Sequence, residues 1–234
     1  MAAIFWKEVK SYFYSPMAYI LIGLFVFLNS FIFRSNLMGA YADFSGNLSF
    51  MSTILVFLIP LLTMRILSED RKNGTEVLLI TSPVSLTGMV VGKFLATFFV
   101  FLVMTCITFI FPLVLLAFGG QITPALIGGY VGLIFLGAAM LSIGIFASAL
   151  TESQIVAAIV TMISLLVIMF LQSMADTFGG VVSKILNWFS LFSRYSDFNR
   201  GIFNLTPIIY YISFTAVFIF LTIRVIEKRR WSQG

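Results

Sequence analysis

Residues 94–151 read FLATFFVFLVMTCITFIFPLVLLAFGGQITPALIGGYVGLIFLGAAMLSIGIFASALT and carry no charged side chain over 58 positions. A single helix of that length would extend roughly 87 Å, nearly three times the ~30 Å hydrocarbon core of a bilayer. The run Gly119-Gly120-Gln121-Ile122-Thr123-Pro124 interrupts the stretch near its middle with turn-forming residues. The stretch therefore predicts two membrane-spanning helices, 94–118 and 125–151.

Four further windows lack charged residues, at 11–33, 44–64, 153–175 and 201–223. Each is long enough for the ~20 apolar residues that a spanning helix needs. Only 10% of the 234 residues are charged and the mean hydropathy is +1.08, whereas soluble domains carry roughly 25% charged residues. The composition therefore predicts an integral membrane protein with six spans.

The composition also excludes several kinds of site. The chain has no histidine, which excludes histidine metal ligands and Ser-His-Asp triads, and one cysteine, Cys106, which excludes an intrachain disulfide. No span carries a charge near its middle, which argues against an ion-coupled carrier, an ion pump core and a membrane hydrolase with an acid–base pair. Gly88, Gly92 and Lys93 do not form a phosphate-binding loop, because the spacing is one residue short and Phe94 follows the lysine.

The basic residues predict the orientation. With six spans both termini lie on one side, and ten of the 14 lysines and arginines lie on that side against four on the other. The ten are Lys7, Lys10, Arg65, Arg71, Lys72, Lys93, Arg224, Lys228, Arg229 and Arg230, and the four are Arg34, Lys184, Arg194 and Arg200. The positive-inside rule then predicts cytoplasmic termini. The net charge of +5 is explained by these flanks, so no nucleic-acid partner is expected.

The predicted fold is all-α, a polytopic membrane protein forming a single membrane domain over 1–234. Residues 1–16 are expected to form an interfacial helix, because aromatic and charged residues alternate there. The six spans are expected at about 17–34, 48–66, 92–118, 125–150, 153–175 and 206–224. Residues 67–91 are expected to form a cytoplasmic loop, and residues 176–205 an amphipathic segment on the outer side before the last span.

Three local patterns each allow a functional and a purely structural interpretation. The charged loop after span two, with its Asn73-Gly74 turn and a predicted helix start at Ser82-Pro83, is either a docking element or a set of membrane anchors. Small residues four apart in the fourth span are either a subunit or gate interface or packing contacts within the chain. The apolar face 182–192 of the outer segment is either a gate or a helix lying on the membrane. Trp188 on its flank suits the headgroup level.

The loop sequence LLTMRILSEDRKNGTEVLLITSPVSLTGMVVGKF, residues 61–94, resembles the permease subunits of type-2 ABC exporters. That family has Glu-x-Arg, Gly-Thr, an acidic residue with leucines, Ser-Pro-Val-Ser and Gly-Lys in this order after span two. The matching positions here are Glu69, Arg71, Gly74, Thr75, Glu76, Leu78, Leu79, Ser82, Pro83, Val84, Ser85, Gly92 and Lys93. The resemblance continues through residues 143–159 and 197–231, and its last part looks closest to gliding-motility-associated and copper-enzyme-maturation permeases.

This resemblance implies a non-catalytic permease subunit of an ATP-driven exporter in a bacterial-type cell (inner) membrane. The expected partners are a separate ABC ATPase, a second permease subunit and the lipid bilayer. No cofactor is expected in this chain, and ATP and magnesium are expected in the partner ATPase. The loop after span two would carry the coupling helix, with Glu69, Arg71, Gly74 and Glu76 transmitting motion and Thr75 and Leu79 making packing contacts. The two alternatives are an ATP-independent channel and a scaffold subunit of a motility or secretion complex.

Overall fold

The computed structural model describes residues 1–38, 44–75, 85–118, 121–177 and 180–232, and within these ranges it contains helices, turns and no strand. The helices are α1 (Ala2–Tyr14), α2 (Pro16–Met38), α3 (Ser45–Thr63), α4 (Ser68–Lys72), α5 (Leu86–Ile107), α6 (Ile110–Ala117), α7 (Pro124–Leu150), α8 (Gln154–Thr177), α9 (Gly180–Phe189), α10 (Leu191–Asn199) and α11 (Leu205–Ser232). The prediction of an all-α protein is confirmed.

Six helical segments in the described ranges are long and apolar enough to cross a membrane. They are Pro16–Ser35, Ser45–Lys72, Leu86–Ala117, Pro124–Leu150, Gln154–Ala175 and Leu205–Arg229. The third of them begins at Leu86, with Ser85 as the N-cap whose side chain accepts a hydrogen bond from the Gly88 N–H at 3.2 Å. Ser82 and Pro83, where the sequence predicts the start of this helix, lie outside the described residues.

The third span is bent between α5 and α6, and Pro112 explains the bend. Proline has no N–H to donate to the carbonyl four residues earlier, and its ring displaces that carbonyl. The carbonyl is that of Thr108, and the hydroxyl of Tyr130 on α7 donates to it at 3.1 Å. The Phe111 N–H also donates to this carbonyl at 3.1 Å, and the bond from Tyr130 ties the bend to α7.

Helix α7 is the most buried of the six spans and contacts α3, α5, α8, α10 and α11. Its glycines allow this close packing. A Cβ added at Gly132 would lie 2.6 Å from the Cβ of Phe198, and one added at Gly144 would lie 2.8 Å from the Cβ of Thr63. Ser148, four residues further, bonds to the backbone that follows α3. The small residues of the fourth span are therefore packing contacts within the chain, as one of the two interpretations predicts.

The segment before the last span forms two helices, α9 and α10, rather than one amphipathic helix through residue 192. The chain breaks at Ser190, whose hydroxyl accepts a hydrogen bond from the Ser193 N–H at 3.2 Å and begins α10. Helix α10 packs against α7, with Phe198 fully buried, whereas Trp188 on α9 is exposed. The face of α10 is therefore part of the protein core and does not lie free on the membrane.

The bundle has two ends that differ in character. Helix α1, the α3–α4 connection and the C-terminal turns of α7 and α11 meet at one end, called here the terminal end. Helix α10, the N-terminal turns of α3 and α7 and the N-terminal half of α11 meet at the other, called here the opposite end. The ion pairs that join different elements of the described ranges lie at the terminal end, whereas Arg194 at the opposite end lies 3.8 Å from the ring of Tyr210 on α11.

Candidate functional site

The turn formed by residues 64–67, which connects α3 to α4, has backbone groups that no longer bond within a helix. The Ile66 N–H donates to the Thr63 carbonyl at 3.2 Å, which leaves the Leu62 carbonyl without its usual helical donor. Unpaired backbone groups in an apolar environment are costly, so each needs a partner from elsewhere. The turn therefore depends on side chains from other helices.

Two of those side chains come from α1 and α5. The hydroxyl of Tyr12 on α1 donates to the Leu62 carbonyl at 2.6 Å. The ammonium of Lys93 on α5 donates to the Ile66 carbonyl at 2.8 Å. Both donors are almost completely buried, so water does not compete for these carbonyls.

The third side chain is Ser148 on α7. Its hydroxyl oxygen accepts hydrogen bonds from the N–H groups of Leu67 and Ser68, both at 3.1 Å. Its proton goes to the Met64 carbonyl, also at 3.1 Å, and the Ser68 hydroxyl donates to the same carbonyl. The Ser148 side chain thus bonds backbone groups on both sides of the turn and holds the turn to α7. Through this turn, α4 is held to α1, α5 and α7.

Lys93 is also the centre of a buried group of charges, which we call the lysine cluster and which consists of Lys93, Glu8 and Asp70. The Lys93 ammonium lies 2.8 Å from a carboxylate oxygen of Glu8 and 2.6 Å from one of Asp70. The lysine side chain is 1% exposed, and the two carboxylates are 14% and 15% exposed. The ammonium group donates hydrogen bonds to Glu8 and to the Ile66 carbonyl, both at 2.8 Å, whereas its contact with Asp70 is an ion pair without hydrogen-bond geometry. The cluster therefore joins α1, α4 and α5 through one buried cation.

A second basic residue, Arg65, joins two of these elements, α1 and α4. Its guanidinium makes an ion pair with Glu69 at 3.2 Å, and donates to the hydroxyls of Ser11 and Ser15 at 3.3 and 3.5 Å. Its centre lies 5.7 Å from the ring of Tyr12. Burial raises the pKa of the Tyr12 phenol, so the hydroxyl stays protonated at neutral pH and remains a donor to the turn.

Helix α4 is also tied to the turn between α7 and α8. Arg71 makes an ion pair with Glu152 at 2.8 Å and donates to the Leu150 carbonyl at 3.3 Å. Arg229 on α11 donates to the Ala149 carbonyl. Cations are favourable at the C-terminus of a helix, because the last carbonyls there carry partial negative charge. Two arginines from different elements thus hold the C-terminal turn of α7.

The turn after α4 is built around Gly74 and Thr75. Gly74 has φ +69°, a left-handed conformation that residues with a Cβ adopt at a cost, although no atom lies within 4 Å of a Cβ added there. The Thr75 hydroxyl lies 2.9 Å from a carboxylate oxygen of Asp70 and 3.1 Å from the Asp70 carbonyl. Because Asp70 belongs to the lysine cluster, the start of the following segment is linked to that cluster.

The structure brings four of the six predicted coupling residues into this network. Glu69 and Arg71 are ion-paired to other residues, Gly74 forms the left-handed turn, and Thr75 contacts Asp70. The remaining two, Glu76 and Leu79, lie outside the described residues.

Sequence reasoning missed the centre of the network, because Lys93, Glu8 and Ser148 looked like ordinary flanking or packing residues. Lys93 was counted among the charges that flank a span, yet its side chain is buried. A usable signal was present: a single lysine follows Leu86–Gly92, and no charge follows it for 58 residues. A cation at that depth needs an acidic partner, and Glu8 and Asp70 are acids from neighbouring segments.

A cavity of about 240 Å³ opens beside this network, between α1 and α4. Three basic residues, Lys7, Arg65 and Lys93, and three acidic residues, Glu8, Glu69 and Asp70, are among those that line it. The charges balance, which suits a surface that receives polar groups of both signs. Among the described residues, no group of three or more Cys, Asp or Glu side chains is arranged to hold a metal ion.

Comparison with protein families gives one match that covers almost the whole chain. Residues 2–230 match the sequence model of a family described as ABC-2 family transporter protein. A search of curated proteins finds no match.

Proposed function

The chain belongs to the ABC-2 transporter family, and from that premise we propose that it is the permease subunit of an ATP-driven exporter whose ATPase is a separate chain. Membership of the family makes it a transmembrane component of an ABC transporter. The proposal adds the direction of transport, the coupling of α4 and the following residues to an ATPase, and pairing with a second permease subunit.

The observation that supports coupling is the attachment of α4 to three other helices. A push on α4 by a partner would act on α1 and α5 through the lysine cluster and on α7 through Ser148. It would also act on the α7–α8 turn through the Arg71–Glu152 ion pair. Energetic coupling between two sites requires a structural element whose displacement affects both of them. Helix α4 meets this requirement, because it is linked both to the protein surface and to the spans.

The proposed orientation places the terminal end in the cytoplasm, where an ATPase has access to ATP. The excess of lysine and arginine on that side supports this orientation. We also propose that the chain belongs to the branch of gliding-motility-associated and copper-enzyme-maturation permeases, on the resemblance of residues 197–231. ATP and magnesium would be bound by the partner ATPase.

The test uses the neighbouring reading frame, if it encodes a soluble chain with Gly-x-x-x-x-Gly-Lys-Ser/Thr, purified together with this chain and reconstituted in vesicles. Glu69→Gln, Arg71→Ala and Gly74→Val should insert normally and lower ATP turnover of the complex, by about tenfold for Gly74→Val. A left-handed conformation costs roughly 1–2 kcal/mol for a residue with a Cβ, and 1.4 kcal/mol corresponds to about tenfold.

Two matched controls make this test specific. Gly74→Asn should keep most of the turnover, because asparagine tolerates the left-handed conformation better than valine does. Lys72→Gln removes an exposed charge from α4 and should change turnover less than twofold. Wild-type turnover in all three test variants would show that the loop only anchors the spans. Failure of any ATPase to co-purify would favour the ATP-independent channel, and normal transport with an inactive ATPase would favour the scaffold.

A further inference from the structure

A second cavity lies at the opposite end of the bundle, between α3, α8 and α10. Its volume is about 590 Å³, within the ~300–1,000 Å³ range of small-molecule sites. It shares no lining residue with the cavity beside α4. We call it the α3–α8–α10 cavity.

The described wall of the cavity carries one positive charge, on the exposed Arg200 side chain, and no acidic residue. Arg200 is the charged residue among the described residues that line it. The Arg200 guanidinium makes no ion pair or hydrogen bond within the described part of the chain. Asp197, the acid on α10, does not line the cavity and is not paired with Arg200. An unpaired guanidinium at a concave site favours an anion, and its fixed fork of donors suits phosphate oxygens.

Three hydroxyl groups of the wall, those of Ser52, Thr53 and Ser196, are left as acceptors. Ser52 and Thr53 both donate to the Ser49 carbonyl, at 2.7 and 3.1 Å. Ser196 donates to the Ser193 carbonyl at 2.7 Å. Because each hydroxyl proton is used within its own helix, the oxygen lone pairs remain for a donor on a ligand.

The α8 wall supplies donors in addition. The side chains of Gln172 and Ser173 have no hydrogen-bond partner within the described residues. Both lie within the last two turns of α8, which ends at Thr177, so they lie near one end of the fifth span. The preceding turns of α8 expose Val167 and Phe170, which are 54% and 57% exposed. These two side chains do not line the cavity, whose α8 wall consists of Met169, Gln172 and Ser173.

We propose that the α3–α8–α10 cavity binds a glycerol phosphate headgroup, with Arg200 on the phosphate and the wall hydroxyls on the glycerol. The phosphate supplies the anion that Arg200 lacks, and Gln172 and Ser173 donate to its remaining oxygens. The glycerol hydroxyls donate to Ser52, Thr53 or Ser196. A choline headgroup meets these demands less well, because it has no hydroxyl donors and the described lining residues include no acid for its ammonium group.

The inference does not depend on coupling to an ATPase, and its test needs neither ATP nor a partner. The full chain is purified in dodecyl maltoside, which contains no phosphate, and bound probes are counted by native mass spectrometry. The probes are dihexanoyl phosphatidylglycerol, dihexanoyl phosphatidylcholine and glycerol 3-phosphate. We expect saturable binding of phosphatidylglycerol, weakened about tenfold or more by Arg200→Gln, because hydrogen bonds to charged groups each contribute more than a tenfold factor.

The controls separate the site from general charge effects. Arg34→Gln removes the same charge from an exposed position at the same end of the bundle, and should change the affinity less than twofold. Gln172→Leu should weaken binding without changing the elution profile of the protein. Binding of phosphatidylglycerol but not of glycerol 3-phosphate would identify a lipid ligand, and binding of both would identify the headgroup alone as sufficient. Equal affinity for phosphatidylcholine, or equal losses in the Arg200 and Arg34 variants, would overturn the proposal.

Discussion

Replacing Lys93 by methionine removes the cation of the lysine cluster while keeping a side chain of similar length. The Glu8 carboxylate and the Ile66 carbonyl then lose their common donor, and the Asp70 carboxylate loses its ion-pair partner. The two carboxylates also repel each other once the ammonium group between them is gone. The variant therefore tests whether the connection of α1, α4 and α5 depends on this one charge.

The expected size of the effect follows from the burial of the three groups. Removing one partner of a buried ion pair costs about 3–5 kcal/mol. The carboxylates are 14% and 15% exposed, so water relieves part of the cost and we expect about 3 kcal/mol. That is roughly a hundredfold in the ratio of folded to unfolded protein. Asp70→Asn should cost less, about 1.5 kcal/mol, because Glu8 continues to pair with Lys93.

The measurement is unfolding in mixed micelles of dodecyl maltoside and dodecyl sulfate, followed by tryptophan fluorescence. Lys93→Met, Asp70→Asn and the double variant form a cycle, in which we expect a coupling energy of about 1–3 kcal/mol. Lys72→Met is the matched control, because Lys72 is an exposed lysine on the adjacent helix, and it should change the stability by less than ~0.5 kcal/mol. If Lys93→Met were no more destabilising than Lys72→Met, the lysine cluster would not hold the helices together.

Two further predictions concern the packing of α7 and the exposed ion pair. Gly144→Ala should destabilise by about 1–3 kcal/mol, because its Cβ meets the buried Thr63 side chain, whereas Gly23→Ala should stabilise by up to ~1 kcal/mol, since no atom lies within 4 Å. The same unfolding assay checks both, and a stabilising Gly144→Ala would contradict the packing described for α7. A cycle of Arg71→Ala and Glu152→Ala should give a coupling energy below ~1 kcal/mol, because the two side chains are 29% and 60% exposed. A coupling above ~2 kcal/mol would show that this pair is shielded from water in the folded protein.

Hydropathy alone was enough to find the helical fold and the six candidate spans. The 58-residue uncharged stretch required two helices, and α6 and α7 end and begin on either side of the predicted turn, at Ala117 and Pro124. The positive φ of Gly74 agrees with the Asn73-Gly74 turn signal. The bend at Pro112 and the break at Ser190 were missed, because proline and serine are also compatible with a continuing span or amphipathic helix in sequence.

The coupling residues were predicted by resemblance to a family, and the structure adds residues of the same network that this prediction omits. Glu69 and Arg71 stand in the loop, where sequence reasoning looks for contacts. Lys93 and Ser148 stand in apolar spans, where sequence reasoning counts them as a flanking charge and a small packing residue. Their partners are 23 or more residues away along the chain, so no local pattern links them.

The sequence by itself determined that this protein is a bundle of membrane-crossing helices. Each uncharged window is long enough to cross the hydrocarbon core, and as a helix it forms its backbone hydrogen bonds within itself. Only the tertiary structure decided which helix lies at the centre, how the α3–α4 turn is satisfied and where the two polar cavities form. The physical reason is that a buried charge or a freed carbonyl is satisfied by whichever group folding brings within hydrogen-bonding distance. Lys93, Glu8 and Asp70 come from three separate segments, and their mutual stabilisation exists only after α1, α4 and α5 have packed together.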